Sequence, residues 1–187
     1  MGGAKPMRRL GGVTLLDRAL AFAARQSDLV AVSFRTPGQF PTAGDPARLI
    51  DPPAIPGPLA GLAAGLAYAR EHARETVLTL PCDTPRLPDD LASRLADALT
   101  DGVGAVIAES GGQLHPTCGL WRTSCADAMP AYVAQGRRSL WGFAKTVGMA
   151  SVDWPSAPRD PFVNVNTADD LAALEAEFAT AGEVKSR

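Results

Sequence analysis

The stretch Thr76–Pro88, "TVLTLPCDTPRLP", decides how the chain is read. An apolar, β-branched run climbs into a lone carboxylate, Asp83, which Pro81 and Pro85 hold in a stiff turn. A run of that length bounded by turn residues predicts a short buried strand, with the acid at its carboxyl end. In open sheets built of strand–helix units, ligands gather outside the carboxyl ends of the strands. The same residues therefore raise the question of the fold and of the site.

Upstream, "LVAVSF" (29–34) predicts a strand, and the short apolar run around Leu49 and Ile50 predicts a second. "GPLAGLAAGLAYAREHARE" predicts a helix opened by Pro58, whose small residues Ala60, Gly61, Ala64 and Gly65 form a face for close packing on a sheet. "VTLLDRALAFAARQ" has the spacing of an amphipathic helix, and the glycine-rich, basic "MGGAKPMRRLGG" before it reads as a loop. Downstream come a helix beginning near Asp89 and Asp90, a strand "GAVIAES" and a strand through "HPTCGLWR". Two helical stretches separated by "GRR" follow, then a strand at about 150–154. "TADDLAALEAEFA" predicts a terminal helix with Thr167 as cap and Asp170 three residues on. Strands alternating with helices predict an α/β fold, a mostly parallel sheet covered on both faces. The 187 residues suffice for one sizeable core, and the linker-like segments at 36–46 and 52–56 are short, so 1–187 reads as a single domain.

A hydrophobic fraction of 46% with 20% charged residues excludes a disordered chain or a fibre. The net charge of -2, with basic residues scattered singly or in pairs, argues against a nucleic-acid or membrane-surface partner and leaves room for a small anionic ligand. No apolar run approaches the ~20 residues of a membrane span, and none reads as a signal peptide. The expected address is the cytoplasm. Cys82, Cys118 and Cys125 are odd in number and lack a C-x-x-C pair, which predicts reduced thiols and no zinc site.

Asp83 suits Mg²⁺, which keeps several waters and takes one or two carboxylates together with substrate phosphates. A turn aspartate bonding its own backbone is the alternative. "NVNT" (164–167) sets two amides and a hydroxyl before a helix. Thr167 alone satisfies the cap, which leaves Asn164 and Asn166, on the same side of an extended segment, for a ligand. In "MGGAKP", paired glycines followed by Lys5 have the composition of a phosphate-wrapping loop, though without the G-K-[ST] ending of a Walker loop, and a solvated arm is the other reading. Arg138 of "GRR" reads either as a phosphate-neutralising cation or as an exposed one. His115, with no nucleophile beside it in sequence, reads as structural or ligand-lining, His72 as solvated and Cys82 as core.

In order along the chain, "GGAKP", "PGPLAGLAAGL", "LPCDTPRLP", "HPT…LW", "GRRSL" and "DPFVNVNTADDL" resemble the molybdenum cofactor guanylyltransferase family, a branch of the nucleotidyltransferases. The resemblance covers nearly the whole chain, and "PCDTP" and "FVNVNT" carry most of it. It implies a Rossmann-like nucleotidyltransferase fold and a reaction in which GTP with Mg²⁺ passes its guanylyl group to the terminal phosphate of molybdopterin, releasing pyrophosphate. By position it implies Asp83 as the magnesium aspartate and Lys5 as the phosphate-neutralising lysine. Gly2, Gly3 and Asp51 join them on the nucleotide side, with Arg138, Asn164 and Asn166 on the acceptor or catalytic side. Further partners implied are a recipient molybdoenzyme or other cofactor-biosynthesis proteins. A transferase using CTP, or a non-catalytic cofactor-binding relative, are the rival readings. The family opens with an apolar strand and the loop "LAGGxSxRMGG", whereas this chain opens at "MGG", so the expectation is a sheet lacking its first strand and most of the nucleotide loop, with poor catalysis and lower stability as the consequence.

Overall fold

The structure is a computed structural model that describes residues 5–184. After one 3-10 turn at Lys5–Met7, two short strands, β1 (Arg9–Leu10) and β2 (Val13–Thr14), pair antiparallel around Gly11 and Gly12. Both glycines hold positive φ, 58° and 80°, the backbone that a two-residue hairpin turn demands and a side chain resists. The expected loop is thus partly a hairpin. Strands of two residues are too short to show a period in sequence.

Helix α1 (Leu15–Gln26) starts where the Thr14 hydroxyl accepts from the Asp17 N–H at 3.0 Å. Strands β3 (Ala31–Phe34) and β4 (Ala47–Ile50) then pair in parallel, and α2 (Pro58–Glu71) crosses to β5 (Thr76–Thr79). The remaining elements are α3 (Leu91–Asp97), β6 (Ala105–Ser110), β7 (Gln113–Arg122), α4 (Met129–Ala134), α5 (Leu140–Thr146), β8 (Met149–Trp154) and α6 (Ala168–Val184). A second sheet runs in the order β5-β7-β6-β8. Its β6–β8 pairing is parallel, while the long β7 runs antiparallel to both of its neighbours, so β5, β6 and β8 share a direction. The α/β class and the element order are those read from the sequence; the antiparallel β7 is the exception to a parallel sheet.

Strand β6 explains why this sheet holds. Ala105 and Ile107 join one apolar cluster with Leu59, Leu62 and Leu66 of α2 and Phe143 of α5, while Val106 and Ala108 join another with Leu91 and Leu95 of α3 and Trp154 of β8. Alternate residues on a strand face opposite ways, so a run buried on both faces needs helices on both faces. Helix α2 also ties the two sheets together. A Cβ added at Gly61 would lie 2.8 Å from Ser33 Oγ of β3, and one at Gly65 would lie 3.5 Å from Val77 Cγ1 of β5. The small-residue face of α2 therefore packs as its sequence predicts, on both sheets within one helical turn. No helix among the described residues is long and apolar enough to cross a membrane.

Candidate functional site

The turn after β5 and the segment before α6 converge on Lys5. Strand β5 ends at Thr79, and the chain turns to bring Asp83 up, half-buried. Its Oδ2 receives the Lys5 ammonium at 2.6 Å, and the same Lys5 Nζ donates to Asn166 Oδ1 at 2.6 Å. Three residues from opposite parts of the sequence therefore meet on one cation.

The backbone around them is fixed by short bonds. The Val165 N–H donates to Asp83 O at 2.8 Å, and the buried Thr84 hydroxyl donates to Asn164 Oδ1 at 2.6 Å. Asn166 N–H and Thr167 N–H both donate to Asp170 Oδ2, and the Asp170 N–H returns a bond to Thr167 Oγ1 at 3.0 Å. This reciprocal cap draws the Asp170 carboxyl below the usual carboxylate range, the Thr167 N–H being the main cause and the Asn166 N–H the next. The cap uses the backbone of Asn166 and leaves its side chain to reach Lys5. The two asparagines left over by capping thus have partners, one on Thr84 and one on Lys5. Thr84 is the residue that sequence reading passed over, although it stands inside "CDTP"; its hydroxyl becomes visible only once Asn164, eighty positions away, is beside it.

Asp51 follows β4, its N–H donating to Phe34 O at 2.8 Å. Its Oδ1 is buried and has no hydrogen-bond partner, a condition that costs free energy and that a ligand N–H or O–H would relieve. Arg138 stands apart from the Lys5 cluster: its Nη1 donates to Val133 O and to Arg137 O, both at 2.7 Å, at the end of α4. Gly2 and Gly3 lie outside the described residues. His72 is exposed, with Nδ1 2.9 Å from Tyr68 O and its ring against Tyr68. Cys82 is half-buried, and burial, then the charge of Asp83, pushes its thiol up; the buried Cys118 on β7 is pushed up to about 12 by the same two causes.

Among the described residues no three His, Cys, Asp or Glu side chains gather as a metal cage. The donors at hand are hard oxygens: Asp83 Oδ1, which has no partner there, and the amide oxygens of Asn164 and Asn166. That set fits a hard divalent cation that takes one carboxylate and completes its shell with water and phosphate oxygens. With Lys5 as a second positive charge, the arrangement can hold a polyphosphate beside a strand end.

Comparison with known proteins gives a consistent result. The model of the MobA-like NTP transferase domain matches residues 1–148. A molybdenum cofactor guanylyltransferase from Nitrobacter hamburgensis is 36% identical over 93% of this chain and 86% of its own length. One from Acidiphilium cryptum is 40% identical over 90% of this chain and 89% of its own. Among solved structures, molybdopterin-guanine dinucleotide biosynthesis protein A from Archaeoglobus fulgidus superposes with a TM-score of 0.71 at 20% identity, covering 94% of this chain and 91% of that one. The 4-diphosphocytidyl-2C-methyl-D-erythritol synthase of Anaerococcus prevotii gives 0.75 at 14% identity, covering 95% and 94%, and speaks for the fold alone. A nucleotidyltransferase fold, oxygen donors past the end of β5 and identity of this order over nine-tenths of the chain agree, and the chain belongs to the molybdenum cofactor guanylyltransferase family.

Proposed function

We propose that this protein transfers GMP from GTP to the phosphate of molybdopterin, releasing pyrophosphate and forming the guanine dinucleotide form of the cofactor. The observation that carries the reading is the convergence of Lys5 on Asp83 and Asn166 at the carboxyl end of β5. Transfer of a nucleotidyl group needs positioning and charge neutralisation more than covalent help from the protein. Lys5 neutralises phosphate oxygens of the nucleotide. Asp83 orients Lys5 and would hold Mg²⁺, which when bound supplies further neutralisation of the phosphates. The unsatisfied Oδ1 of Asp51 takes an N–H or O–H of the nucleotide, and the backbone of Gly2 and Gly3 belongs to the same phosphate-holding loop. Asn164 and Asn166 line the acceptor side. Arg138, whose Nε and Nη2 have no partner among the described residues, supplies positive charge for the acceptor phosphate.

The test measures pyrophosphate release from GTP and from CTP, each with and without molybdopterin, at saturating Mg²⁺. Release that requires both GTP and molybdopterin is expected. Preference for CTP would move the protein to the cytidylyl branch, and tight molybdopterin binding with no pyrophosphate from either nucleotide would leave a cofactor-holding module in place of an enzyme.

A further inference from the structure

Ser110, His115 and Asp160 form a chain of hydrogen bonds, centred on Ser110, that the reaction above does not use. Ser110 ends β6 and is 1% exposed; its Oγ lies 2.8 Å from His115 Nε2 and 2.9 and 3.0 Å from the two Asp160 carboxylate oxygens. A hydroxyl has one proton to give, and an ionised carboxylate only accepts. Ser110 therefore donates to Asp160, and the bond with His115 runs from Nε2–H to Ser110 Oγ. The proton of the neutral ring is then on Nε2, and the lone pair is on Nδ1. Burial holds His115 below its ordinary 6.5, against the opposing charge of Asp160, so the ring is neutral at pH 7.

The ring is also held in place. Phe162 stacks on it at 4.8 Å between centroids and 19° between planes, and the Phe162 N–H donates to Asp160 Oδ1 at 2.8 Å. Two residues further along the chain is Asn164. Strand β7 is antiparallel to β5, so His115, near the start of β7, stands at the same end of the sheet as Asp83. Nδ1 has no partner among the described residues. A neutral imidazole with its proton committed, its plane fixed and its lone pair open is a hydrogen-bond acceptor awaiting a donor.

We propose that His115 binds the acceptor substrate, Nδ1 taking a hydrogen bond from one of its N–H or O–H groups, and that Ser110 and Asp160 are positioning residues which hold that tautomer. The inference rests on the transferase reading. The donor is either an N–H of the pterin heterocycle or the P–OH of a singly ionised phosphate monoester, both of which present the same chemistry to Nδ1.

Two substitutions separate this role from a structural one. In His115→Asn, Oδ1 falls near the place of Nδ1 and the contact with Ser110 is lost. In His115→Gln, the side chain still reaches Ser110 and nothing accepts at the Nδ1 position. Dissociation constants are measured for a phosphate-free pterin, for a simple phosphate monoester and for GTP, and the imidazole ¹⁵N shifts report the tautomer. His115→Gln should weaken one of the two acceptor probes about tenfold, the usual consequence of one unmet polar partner. His115→Asn should keep most of the affinity, and GTP should be unaffected in both. The probe that weakens identifies the donor as heterocycle or phosphate. Ser110→Ala should mix the tautomers and give an intermediate loss.

Retention by Gln with loss in Asn would show that the imidazole serves only the Ser110 bond, and equal losses for GTP would place it outside the acceptor side. Failure of the wild type to bind either probe would also overturn the role. If a different acceptor binds with the same order of variants, the molybdopterin reading falls and His115 keeps its function. If molybdopterin binds without that order, the reverse holds.

Discussion

The β3–β4 sheet and the four-stranded sheet are packed very differently. In β6 every residue but Glu109 is buried, whereas in β3 and β4 together only Phe34 is. The reason is neighbours. Strand β6 has a strand on each edge and helices on each face, so a continuous apolar run can be buried throughout. Among the described residues β3 and β4 pair only with each other, and the β4 pattern alternates between half-buried and exposed. Helix α2 bridges the two sheets: a Cβ added at Gly61 would lie 2.8 Å from Ser33 Oγ of β3, and one at Gly65 would lie 3.5 Å from Val77 Cγ1 of β5. The Lys5–Asp83 contact lies just past the carboxyl end of β5.

The largest expected effect is the difference between core positions. Ile107→Ala, at a fully buried site, should cost about 2 to 5 kcal/mol in denaturant unfolding, and Val32→Ala in β3 about 1 kcal/mol or less. Similar costs at the two sites would dissolve the contrast.

At the candidate site, Asp83→Asn keeps the size and removes the charge that orients Lys5. Guanylyl transfer, followed as pyrophosphate release, should fall by about 10² or more, with the midpoint changed little because the pair is partly solvated. Near wild-type turnover at limiting Mg²⁺ would remove Asp83 from the site.

How much of this was legible in the sequence follows the same division. Asp83 could be read because a hydrophobic run ending in a proline-bracketed acid is a local signal. Asn164 and Asn166 could be read because one capping residue suffices and three were present. Lys5 came through resemblance, since a glycine-rich arm has no period to place it. The Ser110–His115–Asp160 set was not legible: Asp160 is fifty positions from Ser110, and only the return of the chain after β8 brings it back. The β1–β2 hairpin was missed because two-residue strands carry no pattern. Arg138 Nη1 bonds Val133 O of α4 and Arg137 O just beyond it, and its charge alone does not distinguish that use from ligand binding.

The smallest expected effect tests how the sparsely packed half is held. Asp17 in the first turn of α1 accepts from the Thr14 hydroxyl at 2.6 Å and from the Ala43 N–H at 2.8 Å, joining α1 to the loop before β4. Those bonds, Thr14 first and Ala43 second, with the charge of Arg9 adding to them, hold its carboxyl below the ordinary 3.8. A carboxyl whose folded value is depressed binds its proton more readily when unfolded, so its contribution is present above the ordinary carboxylate range and is lost as the pH falls through the depressed value. Asp17→Asn should therefore lower the thermal midpoint by about 1 to 3 °C at pH 7, a size set by solvent screening of a half-buried group. The difference between the two proteins should shrink below pH 4 as the wild type loses its charge. A gap that stays constant down to pH 3 would mean that Asp17 acts through shape and not through its carboxylate, and the tie between α1 and residue 43 would then have to be neutral.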